Sequence, residues 1–221
     1  MNLPSGLQRI ICELAPDQMP FVRKSPALSG ESQSGTNVID PIATIRQQVE
    51  NKYGLSKGLI SIEPFEVKYS LYNSFLSCIY PNYASLPYFD QTTIIEELMR
   101  FIITQIELDH NLIQCIKSKG IKQDHLISMI KEHRGHCAPV LCLLAGIFRL
   151  NLVIWSENGA NRLHHWEPTY DHYRPHIILY QDRWGNYYRI RTSKNLMDHT
   201  DPIVSAGQPY QMIILGQNEH K

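Results

Sequence analysis

Apolar residues recur at helical spacing through the first two thirds of the chain and gather into short continuous runs near its end. The clearest helical pattern covers 90–108, with Asp90 as the predicted N-cap and the apolar positions on one face. The nearly all-apolar segment 138–151 predicts a helix that is buried on most sides. Runs rich in β-branched and aromatic residues, typical of strands, follow at 152–155, 176–181 and 186–191.

Shorter helices are predicted around these elements, beginning near Ser74 and covering 109–120 and 122–135, the last two closed by glycines. The final two strand patterns flank a short turn that contains Gly185, which predicts a β-hairpin. Helices come first and strands gather at the end of the chain. This order predicts an α+β domain over residues 58–221, with a small mixed β-sheet flanked by helices.

Residues 1–57 are predicted to form an N-terminal helical arm. Apolar residues at helical spacing occupy the first 20 positions, and the Ser-, Gly- and Pro-rich segment 24–37 is typical of a flexible linker. A helix should follow, with Asp40 as its cap and Gly54 at its end. We expect the linker to be mobile, and the apolar face of the arm to dock on its own domain, a neighbouring subunit or a partner.

Composition and charge narrow the functional classes. The 221 residues are 43% hydrophobic and 19% charged, with 21 basic and 21 acidic side chains, so the formal net charge is zero. A broad phosphate-binding surface needs an excess of Lys and Arg, so we expect no nucleic acid partner. The sequence lacks a signal peptide pattern and an apolar run of membrane-spanning length, and it contains five cysteines, an odd number. These features predict no membrane association and a reducing, cytoplasmic location.

Two clusters of side chains are candidates for other chemistry. His133, His136 and Cys137 precede Cys142, but the two histidines are closer than zinc ligands usually are and no second cysteine pair exists. We therefore expect no metal and no cofactor. An aromatic group could stack bases or anchor a protein interface, and zero net charge favours the interface, although packing along strands is the simplest interpretation. Its members are Trp166, Tyr170, Tyr173, Tyr180, Trp184, Tyr187 and Tyr188.

Four segments in order resemble the ovarian-tumour (OTU) domain, a papain-like cysteine protease fold that removes ubiquitin. Members of that family carry an Asp-Gly-Asn-Cys turn leading into a helix, then a long helix, a buried helix running into a strand, and an apolar strand with a turn before a His-Tyr pair. The corresponding segments here are LYNSFLSCI, TIIEELMRFIITQIEL, CAPVLCLLAGIFRLNLVIW and HIILYQDRWGNYYRI. The resemblance covers about residues 66–192 and implies a papain-like, OTU-like fold.

The family's catalytic residues do not carry over. The resemblance places Ser74 at the nucleophile position, Asn73 at the preceding Asn, and Asn186 at the general base, or Tyr187 if the register slips by one. A serine hydroxyl is far less acidic than a thiol and needs a base within hydrogen-bond reach. An asparagine amide cannot accept its proton at physiological pH, and a tyrosine phenol is a poor base there. Both halves of the catalytic pair are therefore predicted to be missing.

Simpler roles suit the same residues. Ser is a preferred N-cap, so Ser74 is predicted to cap its helix with Asn73 in the turn before it, and Cys78 to be a small buried residue. Other histidines of the chain are candidates for the missing base. His176 begins the first hairpin strand, about 16 Å from position 186 at roughly 3.3 Å per residue, which is beyond hydrogen-bond reach. The adjacent pair 164–165 is predicted to consist of surface histidines.

Together these features predict a catalytically inactive, OTU-like domain that acts as a protein-interaction or structural module, with a ubiquitin-like protein or an assembly as partner. The main alternative is an active deubiquitinase or peptidase that uses Ser74 or Cys78 with an unrecognised histidine. A further alternative is a subunit of a larger assembly tethered by the arm. Diverged OTU-like chains occur in viruses, so a viral origin and a location in the virion are further expectations for this protein.

Overall fold

A computed structural model describes residues 41–58, 60–63, 67–80, 82–132, 138–157, 159–165, 170–191 and 196–215. These residues form seven α-helices and one six-stranded mixed sheet, which confirms the predicted α+β class. The predicted linker and the His133, His136 and Cys137 group lie outside the described residues.

The first six helices follow the predicted order, and the seventh, near the end of the chain, is not among the predicted elements. They are α1 (Pro41–Tyr53), α2 (Ser70–Ile79), α3 (Tyr88–Leu108), α4 (His110–Ser118), α5 (Gln123–Lys131), α6 (Ala138–Ile147) and α7 (Pro202–Ala206). The strands are β1 (Ser61–Glu63), β2 (Asn151–Ser156), β3 (Arg162–His165), β4 (His176–Gln181), β5 (Tyr187–Arg191) and β6 (Gln211–Ile214). The long helix begins two residues before Asp90, which lies in its first turn, and Pro87 takes the N-cap position instead.

The six strands lie in the order β1-β5-β4-β2-β3-β6. β2 runs parallel to β4, with Asn151 opposite His176, and β3 runs parallel to β6. The other neighbouring pairs are antiparallel, and β4 and β5 form the predicted hairpin, with Gln181 opposite Tyr187. The sheet is therefore mixed, as the sequence predicts.

Helices cover both faces of the sheet. Helices α2 to α6 pack on one face, against alternate strand residues such as Leu152, Ile154 and Leu179. The residues between them, among them Val153 and Trp155, point to the other face and pack with α1 and α7. Successive strand residues point to opposite faces, and both faces are covered by helices. The central strands β2 and β4 are therefore apolar almost throughout.

Helix α1 belongs to the second of these two cores. Val49 is buried, and the Tyr53 ring stacks on Trp155 with centroids 3.9 Å apart. Gly54, with φ of +62°, ends the helix at the predicted position. Residues 41–53, which the sequence assigns to the arm, therefore share a hydrophobic core with the sheet.

Candidate functional site

Ser74, which the resemblance places at the nucleophile position, lies in the second turn of α2 and not at its start. The helix begins at Ser70, and Tyr69 before it makes no side-chain capping hydrogen bond. The prediction that Ser74 caps this helix is therefore wrong. Residues 70–73 contain neither glycine nor proline, so the helix runs without interruption into Ser74. The main-chain N–H of Ser74 lies inside the helix, beyond the exposed N–H groups of the first turn.

The Ser74 side chain is committed to a structural contact with β5. It is 0% exposed, and its Oγ donates to the main-chain oxygen of Tyr187 at 3.0 Å. In return, the main-chain N–H of Tyr187 donates to Ser70 Oγ at 3.2 Å. The phenol of Tyr187 is buried and accepts a hydrogen bond from Gln181 Nε2. These bonds fasten α2 to the sheet and leave Ser74 without access to a substrate.

Asn186, which the resemblance places at the general-base position, is held in the turn of the hairpin. Its main-chain N–H donates to Asp182 Oδ1 at 2.8 Å, and its Nδ2 donates to Asp182 Oδ2 at 2.9 Å. The Tyr188 hydroxyl and the Trp184 N–H donate to the same carboxylate. Asp182 therefore organises the turn, and Asn186 contributes to the turn's geometry.

The remaining residues at the aligned turn are also buried. Asn73 is 4% exposed, and its Oδ1 accepts from the Tyr83 hydroxyl at 2.7 Å. Burial raises the pKa of Tyr83 above its ordinary value, so this phenol stays a donor. Cys78 is a thiol packed in the core formed by α2 to α6. The buried position predicted for Cys78 is confirmed.

A cysteine and a histidine meet elsewhere, between α6 and β3. Cys142 Sγ lies 3.9 Å from His164 Nδ1 and donates to the main-chain oxygen of Ile213 at 3.5 Å. Burial, together with the positive charge of Arg162, lowers the pKa of His164 to about 3, so the imidazole is neutral. Without an imidazolium beside it, the thiol has no stabilised thiolate form. Both side chains are at most 1% exposed, so this pair is part of the core.

A hydrogen-bonded network occupies the amino ends of β2 and β4. Asn151 Nδ2 donates to the main-chain oxygens of Asp171 and Arg174 at 2.9 and 3.1 Å, which fixes the orientation of its amide. Asn151 Oδ1 is then an acceptor, and His165 Nε2, 2.8 Å away, must carry the proton. The sequence gives no direct signal for this network, because its members are far apart in the chain.

His176 completes the network from the first position of β4. Its Nε2 lies 2.7 Å from the Tyr170 hydroxyl and 3.2 Å from Asn151 Nδ2. Burial, then the nearby charge of His199, lowers the pKa of His176 to about 4, so the ring is neutral near pH 7 and its Nε2 accepts from Tyr170. His176 lies at one end of β4, and Gln181, which is paired with Tyr187, lies at the other. Ser74 contacts Tyr187, so His176 is too far away to act as its base.

The prediction that the histidines at 164 and 165 lie on the surface is wrong. Each is 1% exposed. Adjacent strand residues point to opposite faces, so both are buried only where both faces of the sheet are covered. Here His164 faces Cys142 of α6, and His165 faces Asn151 and Tyr170.

No protein-family model, curated protein or solved structure matches this chain. Within the described ranges, no set of three or more His, Cys, Asp or Glu side chains is placed to hold a metal ion. The helices of those ranges include none that combines the length and the apolar character needed to cross a membrane. The fold and the site define an α+β domain whose histidine network and Cys142–His164 pair are both buried.

Proposed function

We propose that this protein is a catalytically inactive, OTU-like domain that acts as a protein-interaction or structural module. Its proposed location is the reducing cytoplasm, with a virion as the alternative. The observation that carries the proposal is the burial of Ser74, whose hydroxyl donates its hydrogen bond to the Tyr187 carbonyl. A nucleophile must reach a substrate and must share its proton with a base. Neither condition is met at this position, and Asn186 donates to Asp182 in place of a histidine base.

Exposed aromatic side chains support the interaction role. Phe89 is 78% exposed and Trp184 67% exposed, whereas most large apolar residues are in the two cores. The main-chain N–H of Trp184 donates to Asp182, which fixes the backbone of the turn, and the Arg183 guanidinium lies 4.1 Å from the centroid of the Trp184 ring. Exposed aromatic groups on an ordered turn are typical anchors of protein interfaces. The Trp184 ring at the hairpin tip is therefore the first candidate anchor for a partner.

The test of inactivity uses a ubiquitin derivative with an electrophile at its carboxyl end. The full chain should form no covalent adduct, while an active OTU protease treated in parallel is labelled completely. Ser74→Ala and Cys78→Ala serve as matched variants. An adduct that disappears in either variant would instead establish the alternative, a working deubiquitinase or peptidase.

A binding measurement tests the interaction role separately. Titration of isotope-labelled protein with unmodified ubiquitin, followed by NMR, should shift resonances around Trp184, and Trp184→Ala should weaken the binding at least tenfold. Tyr173→Ala removes another exposed aromatic ring and is the control. Failure of ubiquitin to bind would exclude it as the partner and favour the assembly-subunit alternative.

A further inference from the structure

A cavity of about 240 Å³ lies between α1 and the carboxyl ends of the parallel strands β2 and β4. It is lined by Gln48, Val49, Lys52, Glu157 and Tyr180. At about 30 Å³ per water, the volume corresponds to roughly eight water molecules, which suits a small polar ligand. The carboxyl ends of parallel strands are also where open sheets with helices on both faces bind their ligands.

Tyr180 forms one wall of this cavity. The residue as a whole is 2% exposed, and it lines the cavity. Its ring contacts Tyr188 with centroids 6.2 Å apart, so the side chain is fixed by packing.

Opposite charges are held at the same cavity. Lys52 Nζ donates to the main-chain oxygens of Ser156 and Glu157 at 2.5 and 3.3 Å, which leaves one of its three N–H groups for a ligand. Glu157 Oε2 accepts from the Arg183 N–H at 2.9 Å, and its other oxygen is available. Burial lowers the pKa of Lys52, and the carboxylate of Glu157 opposes that shift. Both charges are therefore positioned before any ligand arrives.

We propose that this cavity binds a small zwitterion of the α-amino acid class. Its ammonium group would lie against the Glu157 carboxylate and the Tyr180 hydroxyl, and its carboxylate against Lys52. Val49 offers an apolar contact to a short aliphatic side chain, and Gln48 an amide at the rim. A ligand with a single charge meets one favourable and one unfavourable charge here, so the site selects a molecule that carries both.

The chemical class is tested with three related probes on the full chain. L-valine carries both charges, isobutylamine only the positive charge, and 3-methylbutanoate only the negative one. Calorimetry and NMR titration at pH 7 should show that L-valine binds with millimolar or better affinity. Isobutylamine and 3-methylbutanoate should each bind at least tenfold more weakly. The proposal is overturned if L-valine does not bind, or if isobutylamine or 3-methylbutanoate binds as tightly as L-valine.

Matched variants then assign the binding to this cavity. Tyr180→Phe removes only the hydroxyl and Glu157→Gln only the charge, and each should weaken L-valine binding at least fivefold with the NMR spectrum still that of a folded chain. Tyr188→Phe is the control, because its hydroxyl is bonded to Asp182 and does not line the cavity. Unchanged affinity in either test variant, or an equal loss in the control, would contradict the assignment.

Discussion

Lowering the pH should destabilise this protein through His176, because the folded state holds that ring neutral. Its pKa is about 4 in the folded chain against an ordinary value of 6.5. Between those values the unfolded chain binds a proton that the folded chain excludes, so the free energy of unfolding falls as the pH falls. At about 1.4 kcal/mol for each pH unit, the whole window corresponds to roughly 3 kcal/mol. The loss begins near pH 6.5 and is complete below pH 4.

The surroundings of His176 explain the size of the effect. The ring is 0% exposed, and the groups that act on it are His165 of β3, the phenol of Tyr170, and His199 with Asp198 from the segment after β5. Asp198 and the main chain of Met197 favour the protonated ring, and burial together with the two histidines outweighs them. A proton on Nε2 would also displace the hydrogen that Tyr170 donates there.

The assay is urea unfolding followed by circular dichroism at several pH values from 7.5 to 4, on the parent chain and on His176→Gln. Gln lacks the titration, so the stability difference between the two proteins should shrink by roughly 3 kcal/mol as the pH falls from 6.5 to 4. His164 also titrates within the core, and taking the difference between the two proteins removes its contribution. His172→Gln, which removes an exposed ring, is the control. A constant difference between parent and His176→Gln across this range would refute the reasoning.

Three further predictions concern stability at pH 7, measured by the same unfolding experiment. Ser74→Ala should cost about 1 kcal/mol, because it removes the hydrogen bond to β5, and a change below about 0.3 kcal/mol would contradict that role. Gly207→Ala should lower the free energy of unfolding by about 1–3 kcal/mol, because the added Cβ would overlap the Trp155 ring and approach Tyr210 Cε1 to 2.9 Å. An unchanged urea midpoint would show that both rings move aside freely. Trp155→Ala should cost about 3–5 kcal/mol and Trp184→Ala less than about 0.5 kcal/mol, in line with their burial, and similar costs would contradict the assignment of Trp184 to the surface.

The sequence predicts those elements whose signals are local. The apolar run through α6 and the hairpin of β4 and β5 need only periodicity, composition and a turn with Gly185 to be recognised. β1 and β6 are three and four residues long and carry too little pattern to stand out. The fold class could therefore be predicted, whereas the number of strands could not.

The site was harder to predict because it depends on contacts that are distant in sequence. Ser74 is buried by β5, and its helix begins four residues earlier, at Ser70, than the resemblance predicts. The burial of both His164 and His165 requires a strand covered on both faces, by Cys142 of α6 on one face and by Tyr170 on the other, and neither contact has a signature in the strand itself. No local pattern distinguishes such a strand from one with a solvent-exposed face.

The pairing of β1 with β5 sets the order in which this chain completes its structure during synthesis. Ser61 lies opposite Arg191, so β1, the first strand among the described residues, finds its neighbour only after nearly all of the described chain has been made. Helix α2 depends on β5 in the same way, through the bond from Ser74 to Tyr187. Pairing between such distant segments is slow, and the apolar faces of α1 and α2 stay uncovered in the meantime. The nascent chain is therefore a substrate for chaperones until β5 emerges, and a ribosome stalled before that strand would release an aggregation-prone fragment.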